Sequence, residues 1–206
     1  MQIYTIYLLF IISLNKNNVM NRKVFLTRLP AIGILPFAAG FASLGEPEVG
    51  KVSPKMVSPE LKNSYWYIGH LMSILISSKD TNGTFSLIHG YEIKGLEPPP
   101  HVHTKEDESF YILDGEINYT VDKEVFNARR GDWIFLPRNV QHSFQVQSDQ
   151  AEVIIHLSPG GFEEYFKEMS EPAKALIIPP RPQGPPDVKR IIETASKYGV
   201  KFPGLG

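Results

Sequence analysis

The amino-acid sequence predicts an all-β protein, an antiparallel β-barrel or jelly roll with short C-terminal helices. Two observations support this fold class. Short runs rich in aromatic and aliphatic residues recur between residues 64 and 158, and turn-forming residues separate them without a helical pattern in between. Many short strands at similar spacing are typical of closed or sandwiched antiparallel sheets.

The first strands are predicted at residues 65–68, 71–76 and 84–93, where aromatic and aliphatic side chains are dense. Residues 80–83 separate the second strand from the third, and they have the composition of a turn. They include Asn82-Gly83, and this dipeptide readily adopts positive φ. The chain is therefore expected to reverse direction here and form an antiparallel pair.

The clearest hairpin is predicted at residues 109–121. Two strand-like runs, 109–113 and 116–121, are joined by Asp114-Gly115, which is among the strongest short hairpin signals. Further strands are predicted at 133–136, which Pro137 ends, and at 142–146 and 153–157. These patterns occur once, without an internal repeat, so they predict a single barrel.

Helices are predicted only after the strands. One spans residues 162–169, and a second begins at the capping residue Asp187 and runs to about Tyr198, where Gly199 stops it. Residues 179–186 are too rich in proline for a helix or a central strand. We expect this segment to be an extended arm that lies on the barrel or on a partner subunit, which is consistent with a homodimer.

The N-terminal segment is expected to be a targeting signal. The apolar run at residues 3–14 is shorter than the roughly 20 residues that span a bilayer. After Met20, basic residues precede an apolar stretch at 29–44 that ends in small residues, which is the order of a secretory signal. The alternative is a disordered or membrane-anchoring tail.

Export to the periplasm or the outside follows from the signal interpretation, and a cytoplasmic location follows if the segment is not a signal. The translation start is Met1 or Met20 on the same reasoning. The predicted divisions are a targeting segment at 1–44, an N-terminal arm at 45–63, the barrel at 64–160, and a C-terminal part at 161–206 that holds the two helices and the proline-rich arm.

Composition narrows the functional classes. Hydrophobic residues make up 42% of the 206 residues, which is enough for a core, and the net charge is only −1. This balance argues against a nucleic-acid partner, and no membrane contact is predicted beyond the N-terminal segment. The chain has no cysteine, so disulfides, thiolate metal sites and cysteine nucleophiles are excluded.

Four residues carry the chemistry that the sequence predicts. His101 and His103 are two residues apart, so on an extended segment both imidazoles lie on one face. Glu108 begins the next strand, and His142 follows a proline-containing turn. Three imidazoles and one carboxylate suit one divalent transition metal (Fe, Mn, Ni, Cu, Co or Zn) and leave coordination positions open.

At these residues the chain resembles the cupin family, which has two short motifs. The first is complete at the expected spacing, in Gly95, His101, His103, Glu108 and Gly115. The second matches at Gly131, Pro137 and His142, whereas Asn139 stands in place of a glycine and Val146 in place of an asparagine. Asn139 is a mild departure because asparagine tolerates the left-handed conformation.

Most of the chain after about residue 60 is similar to bacterial single-domain cupins described as quercetin-dioxygenase-like. The resemblance implies a metal-dependent dioxygenase for a small aromatic or enolic substrate, in which Glu108 is both a metal ligand and the base that takes the substrate proton. Two alternatives stay open: another enzyme class, such as an isomerase or lyase, that uses the metal as a Lewis acid, and a non-enzymatic cupin that binds a small molecule.

The other histidines and several aromatic residues receive plainer interpretations. His70, His89 and His156 match no motif position and are expected to be ordinary strand or surface histidines, with the alternative that one of them lines the cavity. Phe110, Ile112 and Phe144 share strand parity with Glu108 or His142, so they are expected to form an apolar wall near the metal. Trp133 is expected to lie in the core.

Overall fold

The computed structural model describes residues 52–205, in which twelve β-strands and two α-helices follow one another along the chain. The strands are β1 (Ser64–Tyr67), β2 (His70–Ile76), β3 (Ser86–Ile93), β4 (Val102–His103), β5 (Asp107–Asp114), β6 (Glu116–Val121), β7 (Glu124–Arg129), β8 (Trp133–Leu136), β9 (His142–Val146), β10 (Gln150–Ser158), β11 (Glu171–Pro172) and β12 (Val200–Lys201). The helices are α1 (Glu163–Met169) and α2 (Val188–Lys197). The predicted targeting segment lies outside the described residues.

The strands form antiparallel sheets. One has seven strands in the order β11-β1-β2-β3-β10-β5-β8, a second has three in the order β7-β6-β9, and β12 pairs with β4. All strand pairs are antiparallel, and the predicted all-β barrel or jelly roll is confirmed.

Alternation along the central strands directs every second side chain into the barrel. Ile155 on β10 lies opposite Ile88 on β3 and Phe110 on β5, and all three side chains are buried. Burial of each such side chain stabilises the fold by about 1.5–3 kcal/mol. The inward face of β10 continues through Ala151, Val153 and Leu157, so this central strand presents an uninterrupted apolar face to the core.

The predicted hairpin at Asp114-Gly115 joins β5 to β6. Gly115 has φ +86°, and a Cβ added there would lie 2.7 Å from the carbonyl oxygen of Gln150. Only glycine fits both the backbone conformation and this close approach of β10. The glycine of the first motif at position 115 is therefore required for a steric reason, whereas the sequence alone indicated only a turn.

The prediction for Trp133 is wrong. On the edge strand β8, Ile134 and Leu136 point inward, so Trp133 faces outward and is 55% exposed. Its ring packs against Tyr111 on the neighbouring strand. Strand β7 escaped prediction because five of its six residues are exposed, so it lacks an apolar signal.

The C-terminal elements pack against the barrel. Helix α1 buries Tyr165 and Phe166, and the Asp187 side chain caps α2 by accepting from the Arg190 amide at 3.0 Å. The proline-rich segment contacts the barrel through Arg181, whose guanidinium donates to the Lys94 carbonyl at 2.7 Å. Within residues 52–205, neither helix is long and apolar enough to cross a membrane.

Candidate metal centre

Backbone pairing brings the predicted ligands to one end of the barrel. His103 lies on β4, Glu108 on β5 and His142 at the start of β9. His101 precedes β4 and exchanges two backbone hydrogen bonds with His142, each of 2.9 Å. These two bonds place the imidazoles face to edge, with ring centroids 4.6 Å apart.

The turn before His142 depends on Asn139. This residue has φ +64°, in the left-handed region, which explains why asparagine can stand where the motif has glycine. Its backbone amide donates to the His103 carbonyl at 2.7 Å. The turn that carries His142 is thereby tied directly to the strand that carries His103.

The structure brings all four predicted ligands together. His101, His103, Glu108 and His142 are buried, and one ligand atom from each lies within 4.8 Å of the others. Glu108 Oε2 lies 3.4 Å from His142 Nε2 and 3.8 Å from His103 Nε2. Two ligands that each lie about 2.1 Å from one ion are up to about 4.2 Å apart, so these separations suit a shared metal.

Hydrogen bonds orient the imidazoles for metal binding. The Nδ1 of His101 donates to the Pro99 carbonyl at 2.9 Å, and that of His142 donates to the Val140 carbonyl at 3.1 Å. Each Nε2 then carries the lone pair that a metal needs. His142 Nε2 is buried without a hydrogen-bond partner among the described residues, as expected for an atom that ligates a metal ion.

A carboxylate supports the third imidazole. His103 Nδ1 lies 3.4 Å from Glu106 Oε2, and the Glu106 side chain is buried. Glu106 belongs to neither motif, so the sequence predicted no role for it. Its position three residues after His103 was the available signal, since carboxylates commonly accept from metal-bound imidazoles.

Electrostatics in the group favour a bound cation. Burial, together with the neighbouring His142 and His103, lowers the pKa of His101 to about 3, so its imidazole is neutral at neutral pH. Burial acts to raise the pKa of Glu108, but the imidazoles of His103 and His142 outweigh it and lower this pKa to about 2. Glu108 is thus an ionised, buried carboxylate beside the neutral imidazole of His101, and this group could hold a metal ion.

A cavity opens beside the metal group. Its volume is about 60 Å³, and it is partly open to solvent. Phe110 and Phe144 line it, as predicted, whereas Ile112 is buried but does not reach it. Most of the remaining wall comes from outside the motifs: Tyr67, Met72, Phe162, Tyr165, Phe166, Ala195, Val200 and Phe202.

Among the three histidines outside the motifs, the alternative of a position in the cavity wall holds for His70. His70 is 1% exposed and lines the cavity together with Glu92. Its inward parity with Met72 and Ile74 was the sequence signal for this position. His89, in contrast, points away from the cavity and pairs with Glu152 at 2.7 Å.

Comparison with known proteins agrees with this fold. The family described as "Cupin domain" matches residues 88–158. Quercetin 2,3-dioxygenase of Bacillus subtilis (strain 168) is 30% identical over 113 residues, which cover 55% of this chain and 34% of that protein. Quercetin 2,3-dioxygenase of Aspergillus japonicus is 38% identical over 74 residues, which cover 32% of this chain and 21% of that protein.

The chain thus spans 34% of the length of the Bacillus relative and 21% of the Aspergillus one. Among solved structures, KdgF from Halomonas sp. matches with a TM-score of 0.48 and 16% identity, covering 54% of this chain and 99% of that chain. An RmlC-like cupin from Shewanella frigidimarina NCIMB 400 matches with a TM-score of 0.45 and 20% identity, covering 55% of this chain and 99% of that chain.

Proposed function

We propose that this chain belongs to the cupin superfamily and is a metal-dependent dioxygenase for a small aromatic or enolic substrate. The observation that carries the proposal is that three members of the buried ligand group, His101, His103 and Glu108, line a cavity with aromatic walls. The two relatives named quercetin 2,3-dioxygenase support the same reaction class.

The ligand set determines what the centre can do. His101, His103, Glu108 and His142 would hold a divalent metal, which would act as a Lewis acid and make a substrate hydroxyl more acidic. Glu108 is the carboxylate in the group and lines the cavity, so it is placed to accept the proton of that hydroxyl. His101 and His142 keep their lone pairs aimed inward because backbone carbonyls accept from their Nδ1 atoms.

The cavity wall contributes orientation and exclusion of water. Phe162 packs edge-on to His103 with ring centroids 4.6 Å apart, and Phe202 lies 5.8 Å from His101. These rings bring apolar surface directly against the metal ligands. A flat aromatic substrate would therefore be held by stacking and edge contacts while its hydroxyl faces Glu108.

The test is oxygen uptake with flavonols and catechols, measured with an oxygen electrode after reconstitution with Fe, Mn, Co, Ni, Cu or Zn in turn. At least one metal form should consume oxygen. Glu108→Gln keeps the size of the side chain but removes the basic carboxylate, so the rate at saturating metal should fall by roughly a hundredfold.

Glu152→Gln is the matched control, because Glu152 pairs with a histidine outside the cavity, and its rate should equal that of the wild type. If no metal form consumes oxygen with any of these compounds, the dioxygenase proposal fails. Turnover without oxygen would then favour an isomerase or lyase, and binding without turnover a non-enzymatic role.

A further inference from the structure

The cavity holds a second set of polar side chains besides the metal group. His70, Glu92, Tyr67 and Tyr165 line the same space, and they are called here the distal polar group. His70 and Glu92 belong to β2 and β3, Tyr67 to β1 and Tyr165 to α1. Tyr67, His70 and Tyr165 fall outside residues 88–158, the part of the chain that matches the cupin domain.

Three contacts hold His70 in place. Its Nε2 donates to the Leu96 carbonyl at 3.1 Å, and its Nδ1 faces the Ile93 amide at 3.2 Å and Glu92 Oε2 at 3.2 Å. Burial acts to lower the pKa of His70, but the charge of Glu92 and its hydrogen bonds raise it overall. His70 is thus held in one position, and its Nδ1 contacts the Oε2 atom of Glu92.

The other oxygen of Glu92 is available to a ligand. The Glu92 side chain is only 4% exposed and lines the cavity, and among residues 52–205 the polar contact it makes, with His70, uses Oε2. A hydroxyl group that enters the cavity can therefore donate to Oε1.

The two tyrosines offer the complementary group. Tyr67 Oη and Tyr165 Oη are 2.9 Å apart, and neither makes another hydrogen bond in the described part of the chain. One of the two protons is used in their mutual bond, so one O–H remains to donate. Burial raises the pKa of both tyrosines, so both hydroxyls stay protonated at neutral pH.

An aromatic wall connects the distal polar group to the metal group. Phe162 packs on His103 with centroids 4.6 Å apart, Tyr165 stacks on Phe162 at 4.8 Å, and Tyr67 meets Tyr165 at 5.9 Å. Tyr67 then lies 6.0 Å from His70. A continuous series of ring contacts thus runs from the metal ligand His103 to His70 of the distal polar group.

We infer that the distal polar group binds hydroxyl groups of the substrate at the end remote from the metal. Glu92 accepts from such a hydroxyl, and the free O–H of the Tyr67–Tyr165 pair donates to it. The inference rests on the proposed function and narrows its substrate class to flat aromatic molecules that carry hydroxyl groups on more than one side.

The test measures binding of two small probes of similar shape to the zinc-reconstituted protein under argon. Resorcinol carries two hydroxyls too far apart to chelate a metal, and m-xylene has methyl groups in their place. Glu92→Gln and Tyr67→Phe should each weaken resorcinol binding by roughly tenfold, because each removes a hydrogen bond to a buried group. Their binding of m-xylene should stay within about twofold of the wild type.

Glu152→Gln is the matched control, since Glu152 also pairs with a histidine, and it should leave both dissociation constants unchanged. Thermal unfolding and zinc content identify any variant that fails to fold, and Tyr165→Phe then replaces it. The inference is overturned if the wild type does not bind resorcinol or if the variants bind it as tightly as the wild type. It is also overturned if the variants lose affinity for resorcinol and m-xylene equally.

This outcome is separable from that of the proposed function, because resorcinol neither chelates the metal nor requires oxygen. A selective loss of resorcinol binding without oxygen uptake would retain the distal polar group and reject the dioxygenase. Oxygen uptake without a selective loss of resorcinol binding would retain the dioxygenase and reject the distal polar group.

Discussion

At the scale of single residues, the metal group depends on acceptors that lie behind its imidazoles. Pro99 and Val140 supply backbone carbonyls to His101 and His142, whereas His103 relies on the side chain of Glu106. A backbone carbonyl survives any substitution at its residue, but a carboxylate does not. Glu106 is therefore the one of these three supports that mutation can remove cleanly.

Glu106→Gln should weaken metal binding by roughly tenfold while all four ligands remain, because loss of the charge behind His103 makes its imidazole a poorer ligand. Competition titration with a chromophoric chelator measures the change. Glu152→Gln removes a carboxylate from His89 on the outside of the barrel and should leave the affinity unchanged. Equal affinities for Glu106→Gln and wild type would show that Glu106 does not support the site.

At the scale of elements, carboxylate side chains connect the loops and turns to neighbouring segments. Glu97 joins the segment before His101 to β9, since its Oε1 accepts from the Val146 amide at 2.9 Å and its Oε2 from the Gly95 amide at 2.8 Å. Asp80 likewise connects the turn between β2 and β3 to the segment that precedes β1. Its Oδ2 accepts from the Ser77 amide at 2.8 Å and lies 2.6 Å from Lys55 Nζ.

The turn at Asp80 should make stability depend on pH. The Lys55 ammonium and the Ser77 donors lower the pKa of Asp80 to about 2 in the folded protein, against about 3.9 in an unfolded chain. Because the folded pKa is the lower one, ionised Asp80 stabilises the fold above pH about 4, and this contribution is lost as the pH falls towards 2.

Urea unfolding of wild type and Asp80→Asn between pH 6 and pH 2 measures this contribution. The difference in unfolding free energy should be largest at the upper end and shrink towards zero at the lower end. Glu193→Gln, on the exposed face of α2, should show no such trend. A difference that stays constant across this range would contradict the assignment.

At the scale of the whole molecule, the cavity depends on contacts between distant parts of the chain. Strand β12 pairs with β4, so that Val200 lies opposite His103, and Phe162 of the segment before α1 packs on the same histidine. The segments after the barrel thus cover a metal group that the barrel itself assembles.

Metal binding should therefore stabilise the entire fold, because the unfolded chain does not hold these ligands together. At a free metal concentration of 100 times the dissociation constant, the unfolding free energy should rise by about 2.7 kcal/mol. Calorimetric melting with and without added metal measures the shift. His101→Ala and His142→Ala should lose it, whereas His156→Gln, which removes a histidine from outside the metal group, should keep it. A full shift in either ligand variant would refute the site.

The sequence by itself determined the fold class, the hairpin at Asp114-Gly115 and the candidate ligand set. These features are local: strand alternation has a period of two, turn chemistry needs two residues, and the motif spacing brings His101, His103 and Glu108 within a few residues of one another. Asn139 could be judged in the same way, since its tolerance for positive φ is a property of the residue type.

Only the tertiary structure decided which side chains share the cavity with these ligands. His70 meets Glu92 because β2 and β3 pair in one particular register, and Tyr67 meets Tyr165 because α1 packs on β1. Trp133 and Phe135 face solvent because they lie on the outer side of the edge strand β8, whose Ile134 and Leu136 point inward. Strand register, helix packing and edge position depend on residues far apart in the chain, and local pattern carries no information about them.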